Sequence, residues 1–347
     1  MLTERQKKIL VAIVEVYTEN DKAEPVGSHT LMKMEEFNNY SSATLRNEMA
    51  ELENEGYLEK THTSSGRIPT EKGYRLYVDE LMNIDDINEE LNEQINQFFE
   101  ANHLSKKEMI TSIVRLIVDN PDFNYGAILL EKTAFNSKIK KIDFVPLKNH
   151  NGIFLLVTDQ GQVLYKELPI PEGISVSNIE KTIVYLNERL YDCLLNDFKK
   201  VTSFKIPMEG IFEYMGNAEA VLELCLRSIL TLVEDKKTII GQFNILSHEE
   251  FSDVNIAQEY LDTLKDGSIY DIVEFDNGPL PVITSGSSPN FTVRIGNENK
   301  GNIMKKCSTI TAYYKSKHGT GAITIYGPIR MKYKYIIAAL SIIVNNV

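Results

Sequence analysis

Apolar residues in the first 82 positions recur with a helical period. Thr3-x-x-Gln6 has the form of a capping box, and Ile9, Leu10, Ile13, Val14, Val16 and Tyr17 follow as a broad apolar face. Pro25-Val26-Gly27 breaks the chain, and Ser28 opens a short second helix carrying Leu31 and Met34. After the turn at 37–40, Ser41 suits an N-cap, and Leu45, Met49 and Leu52 at i, i+4 and i+7 predict a third helix. Gly56 ends it. Residues 57–60 then read as a short strand, 61–67 as a hydroxyl-rich, acid-free loop, and Ile68 as the return. Three helices and a hairpin predict a winged helix-turn-helix, whose third helix lies in the major groove of DNA. A three-helix domain that binds protein fits the same pattern.

A further helix is expected from Pro69-Thr70 through Met82, packed by Tyr74, Tyr77, Val78 and Leu81, with a boundary in the polar stretch 83–86. Ile87, Leu91, Ile95 and Phe98 make a narrow stripe that suits a connector helix. Ser105-x-x-Glu108 caps another helix, with Met109, Ile110, Ile113, Val114 and Ile117 on one face, and Asn120-Pro121-Asp122 stops it. The period then changes. Short apolar runs at 127–130, 139–145, 152–157 and 163–168 read as an antiparallel meander, and strands return at 291–295, 308–314 and 322–326 before a last helix. This is an α+β layout with a sheet interrupted in sequence. Within the interruption, Ser177-x-x-Glu180 caps a helix in which Ile179, Ile183, Leu186, Leu190 and Cys193 repeat at 4-3-4-3 spacing. A second helix, 220–233, is apolar nearly all round. Ile183, Leu186 and Leu190 are the candidate seam between two subunits; an ordinary buried helix has the same pattern.

Charge bears on the DNA reading. The chain carries a formal net charge of −12, and its first 82 residues hold 10 Lys or Arg against 15 Asp or Glu. Position matters more than the sum, because salt screens exposed charges beyond roughly 8–10 Å. No acid occurs from Phe37 through Asn47, whereas Glu48, Glu51, Glu53 and Glu55 crowd the second half of the third helix. Arg46 and Asn47 point outward near its start, where bidentate contacts to guanine and adenine are available. Ser42 and Thr44 suit phosphate, and Lys60, His62 and Arg67 in the hairpin suit backbone or minor groove. Lys60, Arg67, Lys72 and Arg75, with Arg46, form an expected basic strip.

The remaining composition excludes several classes. Of the 347 residues 43% are hydrophobic and 25% charged, as in ordinary soluble proteins. Cys193, Cys225 and Cys307 are far apart in apolar contexts, which predicts buried thiols in a reducing compartment. No signal peptide opens the chain, and no apolar run approaches the roughly 20 residues of a membrane span, so a cytoplasmic location is expected. The six histidines are scattered, and no GxxxxGK[ST], GxSxG or CxxC occurs, so no catalytic residue, metal or cofactor is expected. Residues 285–289 read as a loop, and Gly296-Asn297-Glu298-Asn299 fits either a pocket lining or a polar turn.

Four segments resemble one family. PVGSHTL, the run SSATLRNEMAELENEGYLEKTHTSSGRIPTEKGYRLYVDEL, FTVRIGNEN and GAITIYGPIRMKY are similar to the HrcA family of bacterial heat-inducible transcription repressors. The resemblance is almost continuous through the N-terminal domain and returns in the C-terminal third. It implies a winged-helix DNA-binding domain over 1–82, a helical connector over 83–104, and a GAF-like domain over 105–170 and 236–347. A mainly helical dimerisation domain would be inserted at 171–235. It also implies a homodimer on an inverted-repeat operator of double-stranded DNA, with activity modulated by the chaperonin. The rival expectation is a regulator or enzyme that senses a metabolite through its C-terminal domain.

Overall fold

The structure is a computed structural model and describes residues 2–20, 23–61, 66–83, 89–100, 106–133, 137–195, 197, 217–234, 236–273, 291–316 and 319–346. The fold is mixed α and β, in two compact units. The first holds Met1–Leu129, Lys237–Tyr314 and Ala322–Val347; the second holds Leu130–Lys236 and Lys315–Gly321.

The first unit begins with helix α1 (Glu4–Glu19), closed by the expected box: Gln6 N–H donates to the Thr3 hydroxyl at 3.2 Å and Thr3 N–H to Gln6 Oε1 at 2.9 Å. Its buried face is Ile9, Leu10, Ile13 and Val14. Helix α2 (Ser28–Leu31) and a 3₁₀ turn lead to helix α3 (Ser42–Asn54), where the Ser41 hydroxyl accepts from Thr44 N–H at 3.1 Å. Leu45, Met49 and Leu52 are buried as their spacing requires. Gly56, at φ +80°, turns the chain into strand β1 (Leu58–Lys60), which pairs antiparallel with β2 (Arg67–Pro69). Helix α4 (Glu71–Leu76) is capped by Thr70 and runs on into a wider π turn at Tyr77–Leu81.

The rest of this unit is a five-stranded sheet of order β7-β3-β10-β9-β8 with helices on it: β3 (Gly126–Thr133), β7 (Lys236–Ile240), β8 (Phe291–Ile295), β9 (Cys307–Ser316) and β10 (Gly319–Pro328). Successive residues of a strand face opposite ways, and both faces here are covered. Ala127 and Leu129 of β3, with Ile323 and Ile325 of β10, join the cluster that holds α6 (Lys106–Val118) and the last helix, Tyr333–Asn346. Ile128 and Tyr326 join a second cluster with Phe251, Tyr260 and Ile269. Helix α5 (Glu89–Glu100) adds Ile95 to the first cluster.

Helix α4 is tied to the later part of this unit. Arg75 bonds Glu298, Asp79 at 3.1 Å and the Val293 carbonyl at 3.0 Å. Glu71 accepts from Asn297 N–H at 3.1 Å and its amide at 3.0 Å, and the Tyr74 ring lies 5.8 Å from that of Tyr333. The 296–299 turn is therefore a docking element for α4. Arg330 pairs with Glu250 at 2.5 Å and donates to the Asn20 carbonyl at 3.0 Å, and Lys334 pairs with Glu15 at 3.1 Å.

The second unit is an antiparallel meander, β4 (Ile139–Leu147), β5 (Asn151–Thr158) and β6 (Val163–Pro169), packed on one face by α7 (Val176–Leu190) and α8 (Ala218–Val233). Asn187 of α7 accepts from Ile142 N–H at 2.7 Å and donates to its carbonyl at 2.8 Å, occupying backbone groups of an edge strand.

Four sequence expectations need revision here. The meander at 139–169 was expected to continue the interrupted sheet; it forms a separate sheet and packs with the helices of the insert, which therefore starts near Leu130 and not at 171. Helix α7 is capped by Ser175, whose hydroxyl accepts from Asn178 N–H at 3.2 Å, and not by Ser177. Strand β7 and a helix at Val254–Asp266, here α9, were not anticipated. Ile183, Leu186 and Leu190 are 5%, 0% and 2% exposed within this single chain, because α7 turns its heptad face onto α8 and the meander. No partner reaches them without opening that core.

Leu186→Asp should therefore unfold the second unit, at a cost above about 3 kcal/mol, because it places a carboxylate in a filled apolar core. Urea unfolding checks this. A variant that unfolds like the parent and sediments as a monomer would return Leu186 to a subunit seam.

Candidate nucleic-acid interface

Helix α3 presents a coherent polar surface at its first two turns. Ala43, Arg46 and Asn47 are exposed and Ser42 and Thr44 half-buried, opposite the buried Leu45–Met49–Leu52 stripe. Local bonds organise this surface. The hydroxyls of Ser28 and Ser42 lie 2.9 Å apart, and Arg46 Nε donates to Ser28 Oγ at 3.3 Å. Ser28, predicted as a helix cap, instead joins the start of α2 to α3 and steadies the arginine. The Thr44 hydroxyl lies 2.8 Å from that of Ser41. No carboxylate among the described residues is within ion-pair distance of Arg46. Its guanidinium keeps free donors for an acceptor outside the chain.

Three of the four acids that crowd the second half of α3 are bonded inside the domain, and Glu55 is exposed. Glu48 pairs with Arg5 at 2.9 Å, Glu51 accepts from the Gln6 amide at 2.6 Å, and Glu53 takes Arg67 at 2.8 Å and Lys60 at 3.5 Å. These bonds draw negative charge off the outward surface.

The hairpin residues separate into different roles. Lys60 is exposed, with a loose contact to Glu53. His62 lies outside the described residues. Arg67, expected at the DNA backbone, is 8% exposed, with its guanidinium on Glu53. Its own N–H and carbonyl make two 2.9 Å bonds with Val26. Spacing could not show this, because a loop-end arginine has the same signature whether it points in or out. The expected basic strip is also divided. Lys72 donates to the Glu55 carbonyl at 2.7 Å, at the negative end of α3, and lies over the Tyr57 ring, while Arg75 turns to Glu298. Arg46 and Lys60 remain as the outward cations of this surface. Sequence reasoning missed Glu53 as the group that organises the hairpin; its one signal was an acid in the last turn of α3.

Arg67→Ala should cost about 1–3 kcal/mol of stability by leaving Glu53 and the hairpin base without their bond. Lys60→Ala should stay within about 0.5 kcal/mol. Chemical unfolding of both variants decides; equal losses would reject the distinction.

Residues 108–337 match the family HrcA protein C terminal domain. The chain is 38% identical over 338 residues to the heat-inducible transcription repressor HrcA of Listeria welshimeri, which covers 96% of this chain and 92% of that protein. The HrcA of Listeria monocytogenes is similar to the same extent, 38% over 338 residues. A crystal structure described as a hypothetical protein at 2.2 Å resolution shares the fold, with a TM-score of 0.61 at 23% identity over 99% of this chain and 97% of that one. The relatives span the helix–hairpin segment as well as the interrupted sheet, and on that extent of agreement the chain belongs to the HrcA family of heat-inducible transcription repressors.

Proposed function

We propose that α1–α3 and the β1–β2 hairpin form a winged helix-turn-helix that binds an inverted-repeat operator in double-stranded DNA. The observation that carries this is the acid-free opening of α3, with Arg46 and Asn47 exposed and Glu48 and Glu53 behind it paired with Arg5 and Arg67. Arg46 and Asn47 read base edges, and Ser42 and Thr44 meet phosphate. Lys60 and His62 hold backbone, and Arg67 braces the hairpin from within. The five-stranded sheet and its helices serve as the GAF-like domain, and the protein works in the cytoplasm.

The operator-bound form is a homodimer. Support comes from the outer face of the second unit's meander. Cross-strand pairs Val145–Ile153, Leu155–Tyr165 and Val157–Val163 lay an apolar strip across it beside Lys141, Asp143 and Glu167, with Tyr165 70% and Val163 55% exposed. A patch of this kind on a lone protein marks an interaction surface, and a two-fold contact lets one patch cover its own copy. Control by the chaperonin accords with a sheet in which β3 pairs with strands that begin at Lys236 and Gly319, since such non-local topologies fold slowly and expose apolar surface on the way.

Footprinting on the region upstream of the chaperone operon tests the DNA reading. Arg46→Ala and Asn47→Ala should each lose roughly 1–3 kcal/mol of discrimination at one base pair per half-site. Lys60→Ala should weaken all sequences alike and lower the salt slope by about one unit. Unaltered preference in both α3 variants would remove that helix from the groove.

The dimer reading has its own measurement. Tyr165→Glu should leave the fold intact, sediment as a monomer, and bind the operator roughly 10²–10⁴-fold more weakly through loss of the second arm. A dimer that survives the change would move the seam off this sheet.

A further inference from the structure

Ser28, the first residue of α2, is 5% exposed, and its hydroxyl meets two side chains of α3. Arg46 Nε lies 3.3 Å from Ser28 Oγ, and Ser42 Oγ lies 2.9 Å from it. A hydroxyl has one proton to give and two lone pairs to receive with, whereas a guanidinium can only give. Arg46 is therefore the donor and Ser28 the acceptor. The Ser28 proton goes to Ser42, since the opposite orientation would leave a buried O–H without an acceptor among the described residues. Ser42 is half-buried and keeps its own proton for an acceptor outside the chain.

This chain of bonds selects an edge of the arginine. A guanidinium has two flat two-donor edges, one of Nε with a terminal nitrogen and one of the two terminal nitrogens. With Nε bonded to Ser28, the end edge is the one left whole. Two acceptors side by side in one plane match it. Guanine offers O6 and N7 in that arrangement in the major groove, while adenine sets a donor beside its N7. The bond to Ser28 also removes rotamers of a long side chain that binding would otherwise have to freeze.

We propose that Ser28 is a positioning residue that sets Arg46 to read guanine end-on through O6 and N7, and that it links this contact to a phosphate bonded by Ser42. The inference rests on the groove-reading role proposed above for α3. A phosphate oxygen that takes the Ser42 proton makes Ser42 Oγ a better acceptor for Ser28, and Ser28 Oγ in turn a better acceptor for Arg46. Backbone contact and base contact thus strengthen each other. The arginine is held for reading where α3 sits in register on the duplex.

The test uses the full-length protein and operator duplexes in which each half-site guanine is replaced in turn by 7-deazaguanine, with fluorescence anisotropy as the readout. That base keeps its pairing and lacks N7. The guanine read by Arg46 is the one whose replacement weakens the parent about ten-fold and leaves Arg46→Ala unaffected. At that guanine Ser28→Ala should cut the penalty to about two- or three-fold, while penalties elsewhere stay as they are. Its two partners reach solvent, so the variant should melt close to the parent. Ser42→Ala should weaken every duplex and shrink the same penalty by about two-fold.

If Arg46→Ala keeps the parent's penalty at every guanine, the groove-reading role of Arg46 falls and this proposal with it. If Arg46→Ala erases a penalty that Ser28→Ala retains in full, that role stands and the positioning by Ser28 is overturned, whatever happens to overall affinity. A hydroxyl that serves only the fold would give this second result, because it would weaken all duplexes alike. If Ser42→Ala leaves the penalty untouched, the link to phosphate is overturned.

Discussion

The docking of helix α4 onto the 293–298 segment is the contact on which the placement of the proposed recognition surface depends. Arg75 joins two carboxylates and a backbone carbonyl, a three-way fork that one lysine could not reproduce. Glu71 reaches Asn297 only because residue 296 is glycine: its φ is +53°, and a Cβ there would run into the Glu71 carboxylate. From α4 the restraint passes back through Thr70, which donates to the Gly56 carbonyl at 2.7 Å, to the end of α3. The Glu53–Arg67 bond and the two bonds between Arg67 and Val26 close the circuit around the hairpin. Half-exposed ion pairs contribute little stability one at a time. A network anchored by buried Tyr74 and Tyr333 fixes orientation more than it adds stability, and orientation is what the helix would need in the proposed DNA-reading role.

On the function proposed above, the same network explains how an acidic domain would present a surface for a polyanion. Net charge alone argues against DNA, and a dominant electrostatic term would call for a broad basic footprint. The chain instead commits Arg5, Arg67 and Arg75 to its own acids. Beyond the cations held in ion pairs with these acids, Lys33, Arg46 and Lys72 are exposed, and Lys60 is exposed with its loose contact to Glu53. Affinity built on so few phosphate contacts is weak for arbitrary sequence and leans on base edges, which suits a repressor that must leave the rest of the genome alone.

Legibility in the sequence followed the range of the interaction. The caps at Thr3 and Ser41, the Leu45–Met49–Leu52 stripe and the turn at Gly56 are local, and each appears where its residues predict it. Helix α9 had local signals as well, an Asp253 cap and Gly267 at φ +79°, but a single fully buried residue, Tyr260, leaves its apolar face indistinct. What spacing could not convey was partnership. The 4-3-4-3 pattern of α7 states that this helix packs against another, and α8 of the same chain satisfies it. The strands of 139–169 are readable one by one. Their separation from β3 is not, because nothing in a strand's sequence names the sheet it joins. Arg67 and Arg75 belong to the same class, long side chains whose direction is set by acids on other elements, Glu53 of α3 and Glu298.

These partnerships have a consequence for a heat-inducible repressor. The groups that hold α4 come from β8 and the turn after it, and Arg330 and Tyr333 come from the segment that follows β10. The sheet that presents them forms only when β3 has found β7 and β10 across the whole of the second unit. A chain with its N-terminal helices formed and this sheet unformed still has the residues of the recognition surface but lacks the fork that orients them. Local helices form early and non-local pairings late. The fraction of chains able to read an operator as a unit is then set by the slowest and most aggregation-exposed step of folding. On the function proposed above, temperature and the supply of folding assistance act at that step, through the C-terminal sheet, without any change in the residues that meet DNA.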